Sequence, residues 1–390
     1  MEITYLKDAA FFVFGDNEKV RNTDLPTYIS TENMLPDIGG VILGGSRPLE
    51  NSSVKRFKSG DILISKIRPY LRKIWLADID GLCSNDVLVL RANSQTISEY
   101  IYYCLTTDDF FNYATSTTQG TRMPRCDAAS LLNYPIKLIA DKNIQKDIVA
   151  PLVNLDRKIK LNKAINDNLE AMARQLYEYW FVQFEFPDEN GRPYKSSGGK
   201  MVWNDEIKQE LPERWEVSAL GNIMDINMGQ SPKGASYNAI GEGLPFYQGC
   251  NEFGNIYPTI KKYTTDPVKT AKQHDILMSV RAPVGAINIA NMDCCIGRGL
   301  CAVNNNYYTH LYFMIKDIAC ILSKKYNSGT TFGSICKADL EMIKVGYPHN
   351  KVLYNFHNIC IPIFDILQTN TQEIDSLIEV RTSLVKILFS

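Results

Sequence analysis

The sequence predicts an α+β protein in which one plan is written twice, a mixed α/β domain followed by a long helix. Three observations carry this. First, Ile148, Leu152, Leu155, Ile159, Asn162, Asn166, Leu169, Ala173, Leu176 and Trp180 recur in alternating steps of four and three, the spacing of one apolar seam on a supercoiled helix. Second, Ile359, Ile363, Ile366, Asn370, Glu373, Leu377, Val380, Leu384 and Ile387 repeat those steps, Ile359 lying 211 residues after Ile148. Third, the stretches ahead of the two seams share short runs in the same order. Leu25-Pro26-Thr27-Tyr28 matches Leu244-Pro245-Phe246-Tyr247, and Asp61-Ile62-Leu63-Ile64-Ser65 with Arg68 and Pro69 matches Asp275-Ile276-Leu277-Met278-Ser279 with Arg281 and Pro283. Gly120-Thr121 matches Gly329-Thr330, and Tyr134-Pro135 matches Tyr347-Pro348. Offsets that drift while the order holds are what insertions in surface loops produce.

Taken in order, residues 1–142 form the first mixed domain. Asp61–Ser65 and Asp86–Leu90 read as buried strands, and Ser98–Tyr113 as one helix through Ile101, Tyr102, Leu105 and Phe110. Residues 143–184 are the first long helix, with Pro151 either near its start or kinking it. About 33 residues at 1.5 Å each make a rod on the order of 50 Å long, more than a compact core needs. The prolines and glycines between Pro187 and Gly199 end that helix, so residues 185–350 hold a linker (185–214) and the second mixed domain. Residues 351–390 are the second long helix. Asn162, Asn166 and Asn370 stand at seam positions where Leu would be more stable, the usual mark of a fixed register or partner.

With 42 basic and 43 acidic residues the formal charge is -1, so any anion-binding surface is a local patch. The ten cysteines contain no CxxC pair and the four histidines do not cluster, which argues against a metal site or a disulfide framework and for free thiols in a reducing cytoplasm. No basic segment leads into an apolar one at the N-terminus, and no stretch of eighteen apolar residues occurs. Motifs of catalysis are missing: Gly39–Ser46 has Gly45 where a phosphate-binding lysine belongs, and Asn133-Tyr134-Pro135-Ile136 lacks the second proline and the aromatic of an amino-methyltransferase tetrad. No serine elbow, HExxH or paired-carboxylate nuclease pattern is present. No residue is therefore assigned a catalytic or metal-binding role.

Basic residues are placed more suggestively. Lys55, Arg56, Lys58, Lys66, Arg68, Arg72 and Lys73 share a short strip with Asp61 as its only acid and with Tyr70 and Trp75 interleaved, a pattern suited to phosphates. Gln119-Gly120-Thr121-Arg122 with Arg125 offers side chains matched to base edges, Arg to guanine and Gln to adenine. The second copy supplies Gln230, Ser231, Lys233, Gln248, Asn251, Lys261, Lys262, Arg281, Arg298, Thr330, Thr331 and Lys337. Solvated strand flanks and ordinary turns have the same composition, so a nucleic-acid interface stands beside a protein-protein scaffold and a stand-alone DNA methyltransferase or nuclease.

The segment Asn166–Phe181, running into Phe184-Glu185-Phe186-Pro187 and Asn190–Gly199, closely resembles the central region of the specificity subunits of type I restriction-modification systems. Gly229-Gln230-Ser231-Pro232, Ser279 with Arg281, and Ser328-Gly329-Thr330-Thr331 resemble recurrent loop motifs of that family, whereas the first domain lacks the opening seen at Trp215 and Leu220-Gly221. The resemblance implies two target recognition domains separated by two long helices that pair as an antiparallel coiled coil through Leu155, Ile159, Asn162, Asn166, Leu169, Leu176, Ile366, Asn370, Leu377 and Leu384. It implies a non-catalytic chain that reads a bipartite double-stranded DNA target, docks two methylation subunits and joins motor-nuclease restriction subunits. S-adenosylmethionine, ATP and Mg are then expected on those partners, with no cofactor on this chain.

Overall fold

The computed structural model describes residues 2–13, 17–19, 27–44, 47–48, 53–118, 123–326 and 333–389. They form two units, residues 1–161 with 375–390, and residues 162–374.

In the first unit the apolar runs pair as an antiparallel sheet in the order Ala10–Phe12, Val87–Ala92, Ile62–Ser65, Ile74–Leu76. A second sheet follows the order Asn17–Lys19, Ser53–Phe57, Gly81–Cys83, Tyr28–Ile29, its last pair parallel. The expected helix from Ser98 to Tyr113 is in fact two, Ser98–Leu105 and Asp108–Ser116. Thr107 breaks it by accepting a hydrogen bond from the Phe110 amide (3.3 Å), with Asp108 and Asp109 favouring the new N-terminus.

The second unit repeats this topology. Its main sheet runs Asp225–Met228, Leu300–Asn304, Ile276–Ser279, Ile287–Ile289, and Leu244–Tyr247 lies parallel to Cys294–Ile296 in the other. The duplication extends to single bonds. Asp61 accepts from the Lys58 amide and Asp275 from the Lys272 amide, each at 2.8 Å. Burial is handled differently: Asp61 is held by Nε and Nη2 of Arg91 (2.6 and 2.7 Å), whereas Asp275 has no ion-paired cation among the described residues and burial pushes its carboxyl up.

Pairing also corrects two sequence matches. The Ser84 amide bonds Ile29 and the Gly297 amide bonds Tyr247, so Ile29 and not Tyr28 is the counterpart of Tyr247. The Leu6 amide bonds the Tyr134 carbonyl and the Leu220 amide that of Ile343, so Tyr134 corresponds to Ile343 and the shared Tyr-Pro is coincidental. The same bonds make Leu6 the counterpart of Leu220, with Lys7 where the second copy has Gly221.

The first long helix spans Lys142–Tyr177 and passes into a π-helical turn at Glu178–Val182; the second spans Asn350–Phe389. Pro151 is an interior residue, as is Pro362, again 211 positions later (362 less 151). Each lacks the N–H that would bond the carbonyl four residues back. Residues 185–214 are more ordered than a plain linker, because Met201–Asn204 and Gln209–Pro212 form a hairpin.

The helices meet as an antiparallel pair. In the second unit the Asn162 amide donates to Glu373 (2.7 Å) and the Asn370 amide to the Asn166 carbonyl oxygen (2.9 Å). In the first unit Asp156 accepts from Arg381 and from the Tyr103 hydroxyl, both at 2.7 Å. Ile159, Asn162 and Asn166 are buried, and Leu155, Leu169, Leu176, Asn370, Leu377 and Leu384 are half-buried. Ile366 is a correction: it is 47% exposed, as Ile359, Val380 and Ile387 are exposed, and Leu353, Phe356, Cys360, Phe364 and Leu367 are buried instead. The run Ile359–Leu367 is apolar on two adjacent faces, so spacing alone could not choose between them. No helix among the described residues is long and apolar enough to cross a membrane.

His310 sits inside the second unit against Phe181 (4.5 Å between rings), its Nδ1 buried without a partner among the described residues. Burial depresses it from 6.5 to about 3. The unfolded chain therefore takes up a proton that the folded chain refuses: the stability contribution is complete above pH 6.5 and is lost as pH falls towards 3, by about 1.4 kcal/mol per pH unit. Denaturant unfolding followed from pH 7.5 to 5 should show this slope, and His310→Phe should flatten it by up to one proton.

Candidate nucleic-acid interface

Antiparallel pairing of Met228 with Cys301 and of Ser279 with Leu300 brings the ends of several strands to one edge of the second unit. The loops that leave them close around the three-residue turn Gly297-Arg298-Gly299. The Gln230 amide bonds the Ile296 carbonyl (3.0 Å), the Gly297 amide that of Tyr247 (2.8 Å), the Gly299 amide that of Gln248 (3.2 Å) and the Val280 amide that of Gly299 (2.9 Å). The Ser231 hydroxyl accepts from the Arg298 amide at 3.3 Å. Residues far apart in sequence, Gln230, Ser231, Gln248, Arg281 and Arg298, thus share one surface.

Glycine makes this closeness possible. A Cβ on Gly229 would stand 2.2 Å from the Gly297 carbonyl oxygen, and one on Gly299 would stand 2.6 Å from that of Gln248. Backbone packs on backbone, and the side chains are left pointing outward. Gln230, Lys233, Gln248, Asn251, Arg281 and Arg298 are exposed, and neither Arg281 nor Arg298 has an ion-pair partner among the described residues. Exposed amides and guanidinium groups with unspent donors can address phosphates and base edges.

Of the expected contacts in this unit, Ser279 is turned inward and Lys337 stays exposed. Ser279 is buried, its hydroxyl donating to the Pro283 carbonyl (2.7 Å) and accepting from the Ala286 amide (2.8 Å); it holds its loop and presents nothing outward. Lys337 is exposed but engages Glu341 (3.4 Å) across one helical turn. Thr330 and Thr331 lie outside the described residues.

The basic strip of the first unit is not a free row. Arg72 is ion-paired to Asp108 (2.6 Å) and lies over the Phe111 ring; Lys73 donates to the Thr31 carbonyl (2.7 Å). Lys55 donates to the Val87 carbonyl (2.9 Å), and burial holds both lysines below their ordinary range. Arg125 faces Asp86 at 3.5 Å. Arg68 and Tyr70 are exposed and Lys66 is half-buried, at the strand end that matches the second unit's loops. Gln119, Thr121 and Arg122 lie outside the described residues. Sequence clustering missed this division because it counts charges and not the carbonyls that capture them. The Gly-Arg-Gly tripeptide between two strand runs was the one local signal for the turn.

A family model described as type I restriction modification DNA specificity domain matches residues 28–171 and 212–374. The chain belongs to this family of DNA specificity subunits. It is 30% identical over 365 residues to a putative type I restriction enzyme MjaX specificity subunit of Methanocaldococcus jannaschii, covering 89% of this chain and 82% of that protein. It is 23% identical to the type I restriction enzyme HindI specificity subunit of Haemophilus influenzae, covering 87% and 88%. Among solved structures, the type I restriction-modification S subunit from M. genitalium shares the fold at a TM-score of 0.59 and 17% identity, over 100% of this chain and 96% of that one. The HsdS subunit from Thermoanaerobacter tengcongensis aligns at a TM-score of 0.36 and 26% identity, over 99% and 96%. As a type I specificity subunit the chain supplies sequence discrimination, and catalysis belongs to other components of such systems.

The close backbone contacts of this specificity subunit give a test of the loop architecture. Gly229→Ala should destabilise the second unit by about 1–3 kcal/mol, the usual cost of forcing an atom into packed structure. Gly234→Ala, at a glycine with open space around its Cβ position, should be near neutral in the same denaturant titration.

Proposed function

We propose that each unit reads one half of a bipartite double-stranded DNA target with the loops at the matching strand ends. In this reading Lys66, Arg68 and Tyr70 serve one half-site, and Gln230, Gln248, Arg281 and Arg298 serve the other. The observation that carries it is the repetition: one topology, twice in one chain, with polar side chains that folding leaves unspent. A split target with unread base pairs between its halves is the natural ligand of such an arrangement. The paired helices set the spacer, since half-sites on one face of DNA are separated by about a helical turn, 34–36 Å.

The exposed faces of the helices are the docking surfaces for two methylation subunits, which carry S-adenosylmethionine. Ile165, Met172 and Tyr179 on the first helix, 46, 59 and 39% exposed at seven-residue intervals, support this. So do Ile359 and Ile366 on the second, 48 and 47% exposed. Stripes of this kind mark association surfaces. Restriction subunits that use ATP and Mg would complete the assembly, with no cofactor on this chain.

Co-expression with its methylation subunit followed by sequencing of methylated DNA should return a split motif with modified adenine in both halves. Inserting four residues into one long helix should change the spacer length while both half-site sequences stay the same. New bases within a half-site after the insertion would refute independent reading by the two units.

A further inference from the structure

Resting on the reading of the second unit as one half-site reader, we propose that Arg298 is its specificity-determining residue and that it reads a guanine. The turn that carries Arg298 is fixed at its backbone by three other loops, through bonds to Tyr247, Gln248, Val280 and Ser231. It is the centre of the loop cluster, whereas Arg281 stands on one of the loops around it. The root of the side chain is thus held while the guanidinium has no partner among the described residues. A fork of that geometry on a fixed root matches the O6 and N7 acceptors of guanine in the major groove.

The first unit shows that folding does not need an arginine here. Its corresponding turn is Ser84-Asn85-Asp86, closed by the same bonds: Ser84 amide to Ile29, Val87 amide to Ser84 and Lys66 amide to Asp86, matching Gly297 to Tyr247, Leu300 to Gly297 and Val280 to Gly299. There the Asn85 amide is used internally on the Ser53 carbonyl (3.2 Å) and Asp86 faces Arg125. One backbone therefore carries a spent asparagine beside an acid in one copy, and an unspent arginine between glycines in the other. A side chain that the turn does not require, placed where loops converge, is there for what it meets outside.

The test is the methylated motif, and the binding of the assembled complex to matching and single-substituted duplexes, for wild type, Arg298→Ala and Arg298→Asn. The asparagine variant places in this turn the residue its counterpart tolerates, so it keeps the experiment decisive if the alanine variant assembles poorly. The wild-type motif should contain a guanine in one half-site whose replacement weakens binding about 5- to 150-fold. Both variants should lose discrimination at that one position while the rest of the motif and the slope of affinity against salt are retained. An unchanged motif, or uniform weakening on all duplexes with a shallower salt slope, would assign Arg298 to phosphate contact and overturn the proposal. Changes in both half-sites, or loss of all binding by variants that melt like wild type, would overturn it too. A wild-type complex with no split motif would instead remove the underlying reading of the unit.

Discussion

The second unit depends on a few buried amides in the seam between its helices. Asn162 is satisfied by Glu373, and Asn166 by Asn370 and Thr371. A shift of one turn along the seam would leave these groups buried without partners, at about 1–3 kcal/mol each, which is more than leucine at the same sites would lose by sliding. The helices therefore hold one register. The mixed domain of the same unit is tied to that register through polar contacts of its own. Glu170 accepts from Tyr312 (2.9 Å) and Lys316 (2.5 Å), Arg174 pairs with Asp317 (2.6 Å), and the Tyr257 hydroxyl donates to the carbonyl of Phe364 (3.1 Å).

Asp61 with Arg91 and Asp156 with Arg381 are ionic groups matched in place, whereas Asp275 is buried on neutral donors. Arg281 and Arg298, on loops at the strand ends, have no ion-pair partner among the described residues. The near-zero net charge conceals this division, because folding occupies part of the basic strip and leaves Arg281 and Arg298 exposed.

Much of the architecture was legible in the sequence. The seven-residue rhythm from Ile148 to Trp180 marked the first helix, and the repeated Asp-Ile-Leu runs marked the same central strand in each copy. What escaped has physical causes. The second helix has two adjacent apolar faces, so Ile366 and Leu367 were equally good seam residues until a partner surface chose between them. Tyr-Pro recurs by chance, and only hydrogen bonds distinguish recurrence from correspondence. The interface was the least legible part: Gln230 and Arg298 are brought together by non-local strand pairing, while neighbours such as Lys66, Arg72 and Lys73 have different fates. Arg72 found a carboxylate and Lys73 a carbonyl, neither visible in a linear count of charges.

The turn held by backbone-to-backbone bonds has one more consequence. Its backbone bonds form with an asparagine at its tip in one copy and an arginine in the other. Such a scaffold can explore new targets by point substitution without first acquiring compensating changes in its core. Retargeting by design has the same starting point: exchange the residues at the loop tips and leave the glycines alone.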